Sequence, residues 1–166
     1  MTSKIKTAPQ LQRIRRMAKK QKKRVVWTNG CYDILHAGHV LYLQRAKECG
    51  DILIVGLNSD NSIRATKGQL RPIVPEAERA IVISALACVD YVIIFDQDSP
   101  LDIIAALQPD IYAKGGDYTI DTINQAERRL VESYGGEIAL LPGIAGNSTT
   151  AVINKILRAY RDESTS

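Results

Sequence analysis

The chain has 166 residues, of which 45% are hydrophobic and 24% charged, ordinary proportions for a globular domain with a full core. These figures exclude a disordered chain, a collagen and a disulfide-rich miniprotein, and no apolar run approaches the roughly 18–20 residues of a membrane span. The net charge of +4 hides a division: residues 1–24 hold ten of the 22 Lys and Arg and no acid, and the remainder carries 12 bases against 18 acids.

A basic arm of this kind can serve nucleic acid or an anionic surface. No aromatic is interleaved with these charges, which favours a solvated helix with a basic exposed face. Residues 1–23 are therefore expected to form a basic helical extension, residues 24–161 a single domain, and residues 162–166 a frayed tail. The N-terminus lacks the apolar core of a signal peptide. Cys31, Cys49 and Cys88 are scattered thiols without C-x-x-C spacing, so a cytoplasmic setting is expected, with neither membrane nor nucleic acid as partner.

Thr7 can cap a first helix with Ala8 and Pro9 in its opening turn, and Leu11, Ile14 and Ala18 give it a narrow apolar stripe. Strand-like runs then follow at Val25–Thr28, Ile52–Leu57, Tyr91–Phe95, Ile111–Ala113 and Glu137–Leu141. Helical patterns lie between them at Gly38–Cys49, Glu76–Ala87, Pro100–Leu107 and Thr122–Tyr134, and a last one spans about Ser148 to Arg161. Gly50 reads as a left-handed C-cap, Ser99 and Pro100 as N-cap and first helical residue, and Gly135-Gly136 as a helix stop. The strands lack polar alternation, which suits a parallel sheet covered on both faces. The alternation predicts a doubly wound α/β fold: a mostly parallel five-stranded sheet with helices on both faces. In such folds ligands bind beyond the carboxyl ends of the strands, so the loops there carry the chemistry.

The loop after the first strand holds both histidines of the chain, His36 and His39, around Gly38 at a helix start. Three readings are open. His36, His39 and either Asp33 or Cys31 could ligate a metal, although zinc wants three or four ligands in fixed geometry. One histidine could cap the helix while the other is buried. Or the helix N-terminus, with its free amides and positive dipole end, could hold a phosphate to which both imidazoles donate. Gly38 would let such a ligand approach closely. The capping reading leaves unexplained why both histidines gather after the first strand of an α/β fold, and no second ligand cluster is evident for a metal.

His36-Ala37-Gly38-His39, preceded by Thr28-Asn29-Gly30-Cys31-Tyr32-Asp33, resembles the signature of the HxGH nucleotidyltransferase superfamily. The resemblance implies attack of an acceptor phosphate on the α-phosphorus of a nucleoside triphosphate, with pyrophosphate leaving. It implies catalytic roles for His36 and His39 on the triphosphate, with Mg²⁺ riding on the phosphates rather than in a protein cage. Ser148-Thr149-Thr150, on its own a helix cap, resembles the superfamily's second phosphate-holding signature. Lys67, in the basic loop Lys67-Gly68-Gln69-Leu70-Arg71-Pro72, and Arg79 match phosphate-contacting places, and Lys67 is counted with the catalytic residues. Lys114-Gly115-Gly116-Asp117-Tyr118 matches the loop beside the nucleotide; the paired glycines would permit close approach to a base or ribose.

The expected nucleotide contacts are therefore Thr28, Asn29, Gly30, Cys31, Gly38, Arg79, Lys114, Gly115, Asp117, Asn147, Ser148, Thr149 and Thr150. Tyr32, Asp33 and Asn58 are the expected acceptor contacts. Within the superfamily the chain is most similar to the adenylyltransferase domain of bifunctional bacterial heptose enzymes and its stand-alone form. That similarity implies ATP and D-glycero-β-D-manno-heptose 1-phosphate as substrates, ADP-heptose for lipopolysaccharide as product, a separate upstream sugar kinase, and a homodimer as one possible state. Gly143 and Asn147 stand where glycerol-phosphate cytidylyltransferases carry Arg and Ile, which argues against that subgroup. A cytidylyltransferase for another small phosphorylated alcohol and an FMN adenylyltransferase are the alternatives.

Overall fold

The computed structural model describes residues 3–116, 118–143 and 148–161, the last without the Arg161 side chain. Asp117, Asn147 and the tail 162–166 lie outside the described residues. The elements run α1 (Ala8–Lys20), β1 (Val25–Gly30), α2 (Ala37–Glu48), β2 (Ile52–Asn58), α3 (Asp60–Lys67), α4 (Glu76–Ala85), β3 (Tyr91–Phe95), α5 (Leu101–Leu107), β4 (Ile111–Gly116), α6 (Gln125–Ser133), β5 (Glu137–Pro142) and α7 (Thr149–Arg161). The five strands are parallel and ordered β3-β2-β1-β4-β5. None of the helices among the described residues is long and apolar enough to cross a membrane.

Successive residues of a strand point to opposite faces, and here both faces are covered. Val26, Leu53, Val55 and Ala113 pack with Leu43 of α2 and Ile83 of α4. Val25, Trp27, Ile54 and Tyr112 pack with Leu11 of α1, Ile104 of α5 and Val131 of α6. That is the doubly wound arrangement predicted from the alternating pattern. It also explains Gly56: a Cβ there would meet the Trp27 ring at 2.4 Å.

The basic first helix is part of this packing. Leu11 and Ala18 are buried, and Thr7 and Gln10 form a capping box at its start. Arg15 donates to both carboxylate oxygens of Asp110 at 2.8 and 2.9 Å and to the Leu107 and Gln108 carbonyls at the end of α5. These carbonyls have no helical partner of their own.

Three local expectations are corrected. Gly50 is not left-handed; it is a glycine because a Cβ would meet Val26 at 2.8 Å and the Arg24 carbonyl at 3.0 Å. Pro100, not Ser99, is the N-cap of α5, and the Ser99 hydroxyl donates to Glu127 at 2.7 Å. The stretch after β2 holds an extra helix, α3, whose N-cap Ser59 accepts from the Ser62 amide at 3.0 Å. Gly135 does end α6 in a left-handed conformation, with φ at +82°.

Strand order reverses between β1 and β4, because the chain winds from β1 outward to β3 and then returns to β4. The β1–β4 register covers only Val26↔Ile111 and Trp27↔Tyr112. Beyond those pairs the carboxyl ends of the two strands are free to line a cleft, the place such folds give to a ligand.

Candidate active site

A cleft of about 470 Å³ opens there. Its floor is Asn29, Gly30 and Cys31 at the end of β1, with Tyr32 and Asp33 beyond. One wall is the start of α2, with His36, Gly38 and His39; the opposite wall is Lys114, Gly115 and Gly116 at the end of β4. Lys67 closes one rim from the last residue of α3, and Ser148, Thr149 and Thr150 close another at the start of α7. Fourteen expected contacts, distant in sequence, thus meet in one cavity.

The histidines are its distinctive chemistry. His36 is the N-cap of α2 in extended backbone, and its side chain makes no cap hydrogen bond. The two imidazoles stack with centroids 3.9 Å apart and planes 25° from parallel. His36 Nδ1 and Nε2 and His39 Nδ1 are buried yet have no hydrogen-bond partner. Buried polar atoms are nearly always paired, so three orphans on one wall of a cleft mark a place prepared for a ligand. Burial pushes the His36 pKa below its usual value; burial, with His36 alongside, takes His39 down to about 4. Both rings are neutral at pH 7, each carrying one N–H donor and one lone pair.

Basic groups face them. Lys67 and Arg71 line the cleft, and Lys114 reaches it with its ammonium 3.2 Å from Asn29 Oδ1. Burial raises the Cys31 thiol pKa, against the lowering pull of Lys67, Arg79 and Arg71. Ser148 caps α7, its hydroxyl accepting from the Ala151 amide at 3.0 Å. The capping and ligand-facing readings of this serine are therefore compatible.

Three expected contacts lie elsewhere. Thr28 is fully buried, its hydroxyl 2.6 Å from that of Tyr42. Asn58 donates to the Ser62 hydroxyl and lies outside the cleft. Arg79 is buried beneath it, donating to the carbonyls of Val74, Cys31 and Asn58 and to Asp60 at 2.6 Å. An arginine so engaged braces the cleft floor from below. Asp33 does stand at the cleft, but its carboxylate is enclosed by Arg71 and the Ile73 and Val74 amides.

Tyr42, Arg71, Gly116, Tyr118 and Gly143 complete the lining and were not among the expected contacts. Tyr42 has the clearest sequence signal, three residues after His39 on one helical face. It also accounts for Gly115, where a Cβ would meet the Tyr42 ring at 2.3 Å. Among the described residues no three His, Cys, Asp or Glu come together as a metal cage. Among the described residues, the basic and neutral donors around the cleft suit anions.

Comparison with known proteins agrees with this geometry. A cytidylyltransferase-like family model matches residues 27–155. Bifunctional protein HldE of Geobacter sulfurreducens is 51% identical over 161 residues, which is 97% of this chain and 32% of that protein. HldE of Pelobacter propionicus is 52% identical over 158 residues, covering 95% and 32%. The chain thus spans about a third of the length of these relatives. Among solved structures, a lipopolysaccharide core biosynthesis protein from Thermoplasma volcanium superposes with a TM-score of 0.61 at 28% identity, covering 75% of this chain and 99% of that one. A pantoate-beta-alanine ligase from Francisella tularensis shares the fold, with a TM-score of 0.57 at 14% identity over 93% of this chain and 78% of its own. With the family model spanning most of the chain and the unpaired histidines at the strand-order reversal, this protein belongs to the cytidylyltransferase-like family and is a nucleotidyltransferase.

Proposed function

We propose that this nucleotidyltransferase moves AMP from ATP to a sugar 1-phosphate, D-glycero-β-D-manno-heptose 1-phosphate, giving ADP-heptose and pyrophosphate. The observation that carries the reading is the stacked, unpartnered pair His36 and His39 at the α2 N-terminus. The identity to HldE over nearly the whole chain supports the choice of substrates, because the sequence motifs resemble the adenylyltransferase part of bifunctional heptose enzymes. A separate kinase would supply the sugar 1-phosphate.

In the reaction an acceptor phosphate oxygen forms a bond to the α-phosphorus, and the bond from that phosphorus to the β-bridging oxygen breaks. The electron pair leaves on pyrophosphate. The acceptor is already anionic, so no protein nucleophile or general base is required. Charge develops on the phosphoryl and leaving oxygens, and fixed donors there lower the barrier. His36 and His39 would donate to those oxygens, with the amides of the first turn of α2 behind them. Lys67 and the α7 start would hold the β- and γ-phosphates, and Lys114 the nucleotide on the opposite wall. Tyr32, which lines the cleft beyond the end of β1, would face the acceptor. Mg²⁺ enters as part of the substrate, bound to the triphosphate.

The test is pyrophosphate release with Mg²⁺, crossing ATP and CTP against heptose 1-phosphate, glycerol 3-phosphate and FMN. Turnover confined to ATP with heptose 1-phosphate is expected. Turnover with CTP or another acceptor would overturn the substrate assignment, and no turnover with any pair would overturn the reading as a whole.

A further inference from the structure

Behind the β4 wall of the cleft lies a buried acid to which the reaction above gives no role. Glu127, in the first turn of α6, is 3% exposed. Its Oε1 accepts from the Ser99 hydroxyl at 2.7 Å, and its Oε2 accepts from the Tyr112 hydroxyl and lies 3.5 Å from Lys114 Nζ. Lys114 Nζ then donates to Asn29 Oδ1 at 3.2 Å, and the Tyr112 hydroxyl stands 3.4 Å from the same oxygen. The ammonium also sits over the Tyr112 ring, 5.1 Å from its centroid. One carboxylate outside the cleft thus touches Lys114 directly and Asn29 through it, the two polar side chains of the cleft's inner corner.

An acid in the first turn of a helix suits the dipole. That explains an exposed Glu127, not one turned inward onto three partners. The Asn124 side chain already caps α6 by accepting from the Ala126 and Glu127 amides. A buried charge persists where it is paired and hydrogen-bonded, and the cation paired with it here is one that lines the cleft. Asn29 Oδ1 accepts from Lys114, which leaves its amide N–H groups for a ligand.

The geometry points to Glu127 as a positioning residue for the nucleotide, acting through Lys114 and Asn29. It keeps the Lys114 ammonium charged and aimed, so that its remaining donors meet a phosphate oxygen of the bound triphosphate. The inference rests on the nucleotidyl-transfer reading for that ligand, but the Glu127–Lys114 linkage is measurable without turnover. Burial lowers the Lys114 pKa, and Glu127 opposes that fall. Removing the carboxylate leaves burial unopposed.

The test compares the full-length chain with Glu127→Gln. The rate of Lys114 acetylation is followed by mass spectrometry across pH, with and without ATP, beside the pH profile of pyrophosphate release. Loss of the carboxylate should move the Lys114 acetylation midpoint down by about one pH unit. The alkaline limb of the activity profile should fall with it, and the KM for the nucleotide should rise about tenfold, with a smaller change in kcat. ATP should protect Lys114 in the wild type and protect it less in the variant. A variant with the wild-type acetylation midpoint overturns the inference, as does a wild-type Lys114 that ATP leaves unprotected. If Glu127→Gln gives no cooperative thermal transition, Glu127→Asp takes its place. A near wild-type midpoint with a raised nucleotide KM then supports the inference, and an unchanged KM overturns it. Silence of the wild type in pyrophosphate release would count against the proposed reaction and leave the acetylation result to decide the linkage.

Discussion

Asp33 and Arg71, 38 residues apart, form an ion pair of 2.5 Å at the mouth of the cleft. The other oxygen of Asp33 accepts from the Ile73 and Val74 amides at 2.8 and 2.9 Å. Burial alone would raise the Asp33 pKa; the Val74 and Ile73 amides and Arg71 outweigh it and hold the carboxyl below its usual range. The acid thus latches the loop after α3 onto the loop that leads to the histidines. Asp33→Asn keeps an oxygen for the two amides and turns an amide N–H₂ toward Arg71, which donates only. Trypsin should then cut after Lys67 faster than in the wild type, and turnover should fall about tenfold. Wild-type cleavage and wild-type turnover together would show that Asp33 latches nothing.

The His36 and His39 stack carries a different signature. His36 holds two buried nitrogens and His39 one that the protein leaves unpaired, so each ring is an expense to the fold and a gain only with ligand. His36→Ala and His39→Ala should each cut turnover by about 10²–10³. Their melting temperatures should stay at or above that of the wild type, because an unsatisfied polar group has gone. Groups that act as a unit are not additive, so the double variant should be little worse than either single one. Near-normal turnover in both single variants would remove the histidines from the chemistry.

Acid stability follows from the same burial. The folded-state pKa of His39 is about 4, below the ordinary 6.5. The unfolded chain therefore binds the proton more readily between those values, and stability falls as pH drops from about 6.5 toward 4. Below about 4 both states are protonated and this contribution levels off. In His39→Gln the urea midpoint should fall less over that window than in the wild type. Parallel curves would mean that His39 is not held neutral by the fold.

How far this could be read in advance differs from residue to residue. The five strands and the covered sheet were legible because runs such as Ile52–Leu57 have no polar alternation. The strand order was not, since pairing is set by contacts distant in sequence. His36, His39 and Ser148–Thr150 were legible because they sit on a strand-end loop and a helix start, which the fold itself turns toward one edge. The burial of Arg79 was not: a basic residue on the first turns of α4 gives no sign in the sequence that the carbonyls of Cys31 and Asn58 will hold it. Helix α3 was hidden by its length of eight residues and its polar composition, with only the Ser59 cap to announce it. Glu127 drew no reading from the sequence, since nothing local marks the contacts it makes with Tyr112 and Ser99.

Gly115 was read as making room for a base, and the structure gives it another neighbour. The Tyr42 hydroxyl is anchored at 2.6 Å from that of Thr28 and donates at 3.1 Å to the Ala113 carbonyl. Its ring cannot swing aside without breaking both bonds, and a Cβ on Gly115 would stand 2.3 Å from it. Gly115→Ala should therefore destabilise the protein by about 1–3 kcal/mol, the usual cost of overpacking. Tyr42→Leu removes the clashing ring edge at its own cost in lost hydrogen bonds. Combined with it, Gly115→Ala should cost measurably less than alone, because two residues in contact do not contribute independently. If the glycine instead serves only the ligand, Gly115→Ala should leave the melting temperature unchanged and raise the nucleotide KM, and the effect of Tyr42→Leu should simply add. Thermal melts of the four proteins, with and without ATP, separate the two.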